Sequence, residues 1–221
     1  MKLYALPGSA SLASHIALEV VREMPSGQDV PLSVVMLDRG ENLAAGFRAI
    51  NAFGTVPALQ LEDGTVITES FAVLLWIADR FPAANLAARV GTPERDRVHM
   101  LLSTMVTSAH AAFQIYRRTE RYVDFAEGQD AARRLALARL RDLLGHFDSQ
   151  ILDCGLLVGS HLTVADIMLF VVARWGMSLP QGTQQYPRLW NFTRKIAALP
   201  ATQRAMRTEG ISMAVPADGL G

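Results

Sequence analysis

The hydrophobic positions of this chain change their spacing near residue 90. Before that point, short apolar segments predict strands at 2–6, 31–37, 56–61 and 66–67, and the second of them is rich in β-branched residues. An Asp63-Gly64 pair separates the last two segments and is typical of a hairpin turn. Apolar residues that recur every three or four positions predict helices at 11–25, 42–50 and 70–81. The predicted order is β-α-β-α-β-β-α.

After Pro93 almost the whole chain has the helical period. The pattern predicts helices at 93–121, 129–152, 163–178, 187–198 and 200–208. Thr163 and Asp166 resemble a capping box at the start of the most apolar of them. We therefore predict an α/β domain followed by an all-α domain. The predicted boundaries are 1–82 for the first domain, 83–91 for a linker and 92–221 for the second domain.

Composition narrows the function classes. Lys plus Arg and Asp plus Glu each number 21, so no bulk charge favours a nucleic acid or an anionic membrane. The apolar run 167–173 is too short to span a bilayer, and the start of the chain lacks a signal-peptide pattern. The single cysteine, Cys154, excludes an internal disulfide and a thiolate-rich zinc site, and we expect it to be a buried core thiol. We expect a cytoplasmic protein.

A polar stripe runs along the predicted helix 93–121. Ser103, Thr107, His110 and Gln114 follow the spacing of one helix face. The stripe either lines a wet cleft or simply faces solvent, and the pattern does not choose between the two. His99 and His110 would stand roughly 16 Å apart on a helix, too far to share a metal ion. We predict no metal site.

Three segments together are similar to the bacterial glutathione S-transferases, most of all to the beta class. They are KLYALPGSASLASHIAL, NAFGTVPALQLEDGTVITESFAVLLWIADRFP and LTVADIMLFVVARW. The resemblance implies a thioredoxin-like N-terminal domain, a helical C-terminal domain and a homodimer. It also implies that glutathione is a co-substrate, and that its thiolate attacks a small hydrophobic electrophile.

The resemblance assigns two segments to glutathione binding. Thr55, Val56 and Pro57 match the segment with a cis proline, whose main chain pairs with the tripeptide like an added strand. Glu69 and Ser70 match the start of the third helix, where free N–H groups and the helix dipole attract a carboxylate. The alternatives are a plain trans proline and an ordinary helix cap.

The segment around residue 10 carries the main departure from the family. Ala10 stands where the beta-class pattern has a cysteine, so a mixed disulfide with glutathione is excluded at this glutathione-contacting position. Conjugation needs only the thiolate of glutathione. We expect Ser11, at the start of a helix, to stabilise that thiolate as a catalytic residue. Ser9, Ser14 and Tyr4 are weaker rivals, and a simple N-cap is the bland alternative for Ser11.

His110 is the second catalytic candidate, because it matches a beta-class histidine that faces the thiol. Ser103 and Thr107 are expected on the same substrate-binding face. Ala111 departs from the basic residue that often follows this histidine. Trp175 matches a tryptophan near the electrophile, although a core aromatic is the favoured interpretation.

The sequence therefore predicts a glutathione transferase. A specialised glutathione-dependent dehalogenase, etherase or isomerase is one alternative. A non-catalytic binding or scaffold protein with the same fold is the other, and Ala10 keeps it open.

Overall fold

A computed structural model describes residues 1–25 and 30–214. Its sheet has four strands in the order β2-β1-β3-β4. They are β1 (Lys2–Ala5), β2 (Ser33–Met36), β3 (Ala58–Gln60) and β4 (Val66–Thr68). β1 and β2 are parallel, whereas β1 with β3 and β3 with β4 are antiparallel. With helices α1 (Ser11–Glu23), α2 (Ala45–Arg48) and α3 (Ser70–Arg80), the predicted order β-α-β-α-β-β-α is confirmed.

The remaining described helices follow the sheet. They are α4 (Pro93–Thr104), α5 (His110–Arg117), α6 (Ala126–Gln150), α7 (Val164–Gly176), α8 (Pro187–Ala197) and α9 (Pro200–Thr208). The prediction of one regular helix over 93–121 is wrong, because a π-helical segment at Met105–Ala109 separates α4 from α5. A π turn closes each hydrogen bond one residue later than an α turn does. The side chains that follow it are therefore rotated away from the face that regular spacing predicts.

Helix α7 forms the centre of the core. All of its residues are buried, and it packs against α1, α4, α6 and α8. Leu12 and Ile16 of α1 join Val98 and Leu101 of α4 in the same continuous apolar cluster. One core therefore extends across both predicted domains. The boundaries 1–82, 83–91 and 92–221 remain a prediction, and residues 215–221 lie outside the described part.

The predicted capping box at the start of α7 is confirmed. The buried Asp166 carboxylate accepts hydrogen bonds from the N–H and the hydroxyl of Thr163, at 2.8 and 2.7 Å. It also accepts the N–H of Leu157 at 2.8 Å, which fixes the loop before the helix. Burial raises the pKa of Asp166, and the hydrogen bonds from Thr163 and Leu157 oppose that rise. One carboxylate thus anchors both the central helix and the loop leading to it.

The prediction that Cys154 is a buried core thiol is wrong. The residue is exposed and lies in the loop between α6 and α7, where its Sγ donates to the carbonyl oxygen of Gly159 at 3.2 Å. The apolar residues around it in sequence, Leu152 and Leu156, do not belong to a helix, so their spacing says nothing about its burial. None of the described helices has the length and apolar character that a membrane crossing requires.

We predict that Asp166→Ala lowers the free energy of unfolding by about 2–4 kcal/mol, since it leaves buried N–H groups without an acceptor. Urea unfolding followed by circular dichroism measures the change. Asp153→Ala is the matched control, because this carboxylate is 97% exposed, and we expect it to change stability by less than about 0.5 kcal/mol. Equal losses in both variants would contradict the anchoring role.

Candidate active site

Strand register brings three loops together at one edge of the sheet. Tyr4 pairs with Ala58, and Ala58 pairs with Thr68, both in antiparallel fashion. The turn after β1, the residues before β3 and the residues after β4 therefore lie side by side. These are the segments that contain Ser9, Val56 and Ser70.

The segment before β3 is held in a fixed shape. The Val56–Pro57 bond is cis, as predicted, and sheet pairing starts only at Ala58. The Asn51 amide donates to the carbonyl oxygen of Thr55 at 2.7 Å and to its hydroxyl at 3.1 Å. The Asn42 amide donates to the carbonyl oxygen of Gly54 at 2.6 Å. Thr55 and Val56 consequently form a firm wall of the cleft described below.

The segment after β4 has a strained backbone. Glu69 has a φ of 68°, a left-handed conformation that a non-glycine residue rarely adopts. Such conformations persist where the surroundings enforce them, often at ligand sites. Ser70 is buried and begins α3, as predicted. The hairpin register places both residues beside Val56, although neither belongs to the lining of the cleft itself.

The turn after β1 departs from the prediction for Ser11. The N-cap of α1 is Ala10, so Ser11 is the first helical residue and not the cap. Its hydroxyl is fully buried, accepts the N–H of Leu6 at 3.2 Å and lies 2.8 Å from the hydroxyl of Ser9. Ser9 and Ala10 line the cleft, and Ser11 does not. The two serines form a pair in which Ser9 is the outer member.

A cleft with a volume of about 450 Å³ separates these loops from the helical part of the chain. His110 and Gln114 of α5 form its opposite wall, with 3.2 Å between His110 Nε2 and Gln114 Nε2. The predicted polar stripe is therefore only half realised. Ser103 and Thr107 do not line the cleft, because the π-helical segment changes the register before His110.

Other candidates lie away from the cleft. The Tyr4 hydroxyl is bonded to the side chain of Gln60 at 3.2 Å, and its ring packs on Phe47. Ser14 is fully buried, and its hydroxyl has no hydrogen-bond partner among the described residues. The Trp175 ring lies 5.3 Å from that of His110 and lines a small cavity with Ser9 and Ala10.

Two hydrogen bonds that the sequence analysis did not predict hold Gly8 in place. Its N–H donates to the Glu209 carboxylate at 2.8 Å, and its carbonyl oxygen accepts the indole N–H of Trp175 at 2.9 Å. Glu209 also pairs with His15 Nδ1 at 2.9 Å. Residues about 170–200 positions away thus fix the turn that carries Ser9. No local pattern predicts contacts over such a separation.

The described residues contain no cluster of three or more His, Cys, Asp or Glu side chains suited to a metal ion. The chemical groups that face the cleft are instead hydroxyl, imidazole, amide and guanidinium groups. They can donate hydrogen bonds to an anion, and the imidazole can accept a proton.

Comparison with protein families identifies both halves of the chain. A model described as the glutathione S-transferase N-terminal domain matches residues 26–80, and one described as the C-terminal domain matches residues 104–200. The Glutathione S-transferase GstA of Escherichia coli O157:H7 is 31% identical over 212 residues, which cover 96% of this chain and all of the relative.

Solved structures give the same result. The bacterial beta-class glutathione S-transferase of Sphingomonas chungbukensis is 33% identical, with a TM-score of 0.81, covering 96% of this chain and 100% of the other. A sphingomonad glutathione S-transferase in complex with glutathione is 31% identical, with the same TM-score and the same coverage.

We predict that the imidazole of His110 is neutral at pH 7, because burial lowers its pKa from the ordinary value of 6.5. Proton NMR titration, with His110→Gln to assign the signal, measures the pKa directly. As the pH falls below about 6.5 the unfolded chain binds this proton more readily than the folded one. Acidification should therefore cost the wild type more stability than it costs His110→Gln. A His110 pKa above 6.5 would contradict this.

We also predict that Gly54→Ala damages the cleft wall. Gly54 has a φ of +63°, and a Cβ there would lie 2.7 Å from the main-chain oxygen of Asn42. Gly64→Ala is the matched control, since its φ is +87° and nothing lies within 4 Å. Thermal unfolding should show a loss of about 1–2 kcal/mol for Gly64→Ala from backbone strain alone. The loss for Gly54→Ala should be larger by at least about 1 kcal/mol, and equal losses would refute the steric argument.

Proposed function

The chain belongs to the glutathione S-transferase family, and from that membership we propose that it joins the thiol of glutathione to an electrophile in the cleft between the sheet edge and α5. The observation that carries this proposal is the meeting of Ser9, Val56 and His110 around one cavity. A specialised glutathione-dependent reaction and a non-catalytic binding role are the alternatives, and the experiment below separates conjugation from the non-catalytic role.

Glutathione is proposed to lie along the sheet edge. Its cysteinyl segment pairs with the main chain of Val56, which the sheet leaves unused. Its γ-glutamyl carboxylate lies at the start of α3 near Ser70, where the helix N-terminus supplies N–H donors, and Glu69 accepts from the ammonium group. Pro57 holds the required chain direction, while Thr55 and Ala10 complete the wall around the tripeptide.

The pair of serines is proposed to stabilise the thiolate. Ser9 faces the cleft and donates its hydroxyl hydrogen to the sulfur, while Ser11 donates to Ser9 from behind. The 2.8 Å distance between the two hydroxyls permits this chain of donors, in which Ser11 gives its hydrogen to Ser9 and not to the carbonyl oxygen of Leu6 at 3.4 Å. The N–H of Leu6 fixes the oxygen of Ser11. Ser11 is then a positioning residue and Ser9 is the catalytic one.

His110 is proposed to take the thiol proton. Its imidazole faces the cleft opposite Ser9, and its lowered pKa keeps it neutral and able to accept a proton at pH 7. The sulfur then forms a bond to the electrophilic carbon, and the leaving group departs with its electron pair. A neutral water molecule can replace the imidazole in part, so the contribution of His110 is smaller than that of the hydroxyl pair.

Two further properties belong to the proposal. The protein is proposed to form a homodimer and to act in the cytoplasm. Ser103 and Thr107 keep a role in substrate binding only at the outer end of the electrophile, since they lie outside the cleft lining.

A glutathione titration combined with a turnover assay on a neutral, small aromatic electrophile tests the function. Binding with turnover supports conjugation. Binding without turnover of any electrophile supports a ligand-binding role, and absence of binding supports a scaffold.

We predict that Ser9→Ala raises the pKa of bound glutathione, seen as a shift of the ultraviolet thiolate absorbance with pH. A hydrogen bond to a charged group contributes about 1.5–3 kcal/mol, so kcat/KM should fall by about 10- to 150-fold. Ser9→Thr keeps the hydroxyl and should restore most of the loss. Ser14→Ala is the control, because its buried hydroxyl faces neither the cleft nor the pair.

The double variant Ser9→Ala, Ser11→Ala decides the order of the two serines. If Ser11 acts only through Ser9, removing it in the Ser9→Ala background leaves the thiol pKa where Ser9→Ala alone puts it. A further rise of the pKa would mean that Ser11 itself contacts the sulfur.

A further inference from the structure

The charged side chains that line the cleft have one sign. Arg39, Arg118 and Arg121 contribute to the lining, whereas none of the described residues that line it carries a carboxylate. The whole chain has equal numbers of basic and acidic residues. The positive lining is therefore a local property of the cleft and does not follow from the composition.

A short turn presents two of these arginines on the helical side. Arg118 precedes, and Arg121 ends, the 3₁₀ helix Thr119–Arg121. Side chains three residues apart on such a turn point the same way. Thr119 between them is fully buried, and its hydroxyl donates to the carbonyl oxygen of Ile115 at 2.7 Å. The buried threonine anchors the turn to the end of α5, so the residues of the turn that line the cleft are held in position.

Positive charge also accumulates behind this wall. Arg117 lines the small adjoining cavity, and its guanidinium donates to the hydroxyl of Ser178. Burial lowers the pKa of Arg117, and the neighbouring charges of Arg118 and Arg174 lower it further. The positive charge near the helical wall of the cleft is therefore not confined to the residues that line the cleft.

The same cleft has an apolar rim. Leu43, Phe53 and Tyr122 line it with 51%, 79% and 56% of their surface exposed. Leu43 and Phe53 come from the loops of the sheet side, while Tyr122 directly follows Arg121. The cleft lining thus combines apolar side chains with the arginines.

The positions of the lining arginines divide them between the two substrates of the proposed function. This step rests on the proposed function, in which the γ-glutamyl carboxylate lies at the start of α3. Besides the thiolate, the only other anion of the tripeptide is its glycyl carboxylate. Arg39 lies in the turn after β2, on the sheet side of the cleft, which is the side of the proposed glutathione. Arg118 and Arg121 on the helical side then face the space of the second substrate.

We propose that the preferred electrophile carries a carboxylate on an apolar or aromatic body, with the carboxylate bound by Arg118 and Arg121. Guanidinium groups match the geometry of a carboxylate, and the apolar rim matches the body. The proposal adds a carboxylate to the small hydrophobic electrophile that the family resemblance implies.

Two isosteric probes test the proposal. They are 4-chloro-3-nitrobenzoate and 4-chloro-3-nitrobenzamide, which differ in charge and hardly in shape. In both, the glutathione sulfur forms a bond to the ring carbon that bears chlorine, and chloride leaves with the electrons of the broken bond. The quantity measured is the ratio of kcat/KM for the acid to that for the amide, each divided by its uncatalysed rate.

We expect the wild type to prefer the acid by at least about fivefold. Arg121→Gln and Arg118→Gln should each lower the ratio by about five- to tenfold. A loss of this size lies between the loss expected for an exposed ion pair and the loss expected for a charged hydrogen bond. Arg121→Lys keeps the charge and should keep most of the preference. Arg139→Gln, an exposed arginine of α6 outside the cleft lining, is the control. Added salt, at about 0.5 M, should reduce the wild-type preference by screening.

A ratio near one in the wild type, or one that neither arginine variant changes, would overturn the proposal. So would variants that raise the KM for glutathione and leave the ratio unchanged, since the arginines would then serve glutathione. If neither probe is turned over, calorimetry compares the affinities of the two glutathione conjugates. A tighter carboxylate conjugate that loses its advantage in Arg121→Gln upholds the charge preference although the proposed function fails, and equal affinities refute the preference too.

Discussion

The two peptide bonds that flank Gly8 are the point on which the geometry of the cleft depends. The N–H of Gly8 is held by Glu209 from the end of the chain, and its carbonyl oxygen is held by Trp175 from the central helix. The turn after β1 is therefore clamped to the helical part on both sides. Because Ser9 follows directly, the distance between the serine pair and the wall formed by α5 is set by these two bonds.

Buried charge stabilises the clamp. Arg174, on the same helix as Trp175, is only 2% exposed and donates to the main-chain oxygen of Ser212. Burial lowers the pKa of its guanidinium, and the Glu209 carboxylate opposes that effect. A Cβ on Gly8 would lie 3.0 Å from Arg174 Nη1, and Gly8 has a φ of +69°. Only glycine satisfies both the left-handed backbone and the close approach of the guanidinium.

Local patterns predicted much of this architecture. The hairpin came from Asp63-Gly64, the start of the central helix from Thr163 and Asp166, and the cis bond from the match of Val56-Pro57 to a family motif. The first two features are decided by residues close together in sequence, and the third was implied by the family resemblance. All three could therefore be predicted from the sequence, and the structure confirms them.

The errors share a different origin. Ser11 was expected to face the thiolate, with a helix cap as the alternative, but Ala10 already has helical backbone angles and the Ser11 hydroxyl turns back to Leu6 and Ser9. Ser103 and Thr107 were expected on the cleft face, but a π-helical segment intervenes. The first outcome is set by the backbone angles of the turn and the second by a change in helical hydrogen bonding, and the spacing of residue types records neither.

None of the described residues that line the cleft is a cysteine. This gives the positive charge of the lining a proposed second role, in the formation of a thiolate. Ala10 lines the cleft, and the only cysteine, Cys154, lies in the loop between α6 and α7. The sulfur that reacts there must then belong to the ligand. A thiolate is favoured wherever hydrogen-bond donors and positive charges face it. In the proposed mechanism the hydroxyl of Ser9 and the guanidinium groups of the cleft lining meet that requirement together, so that the same donors and charges would stabilise the thiolate and favour an anionic second substrate.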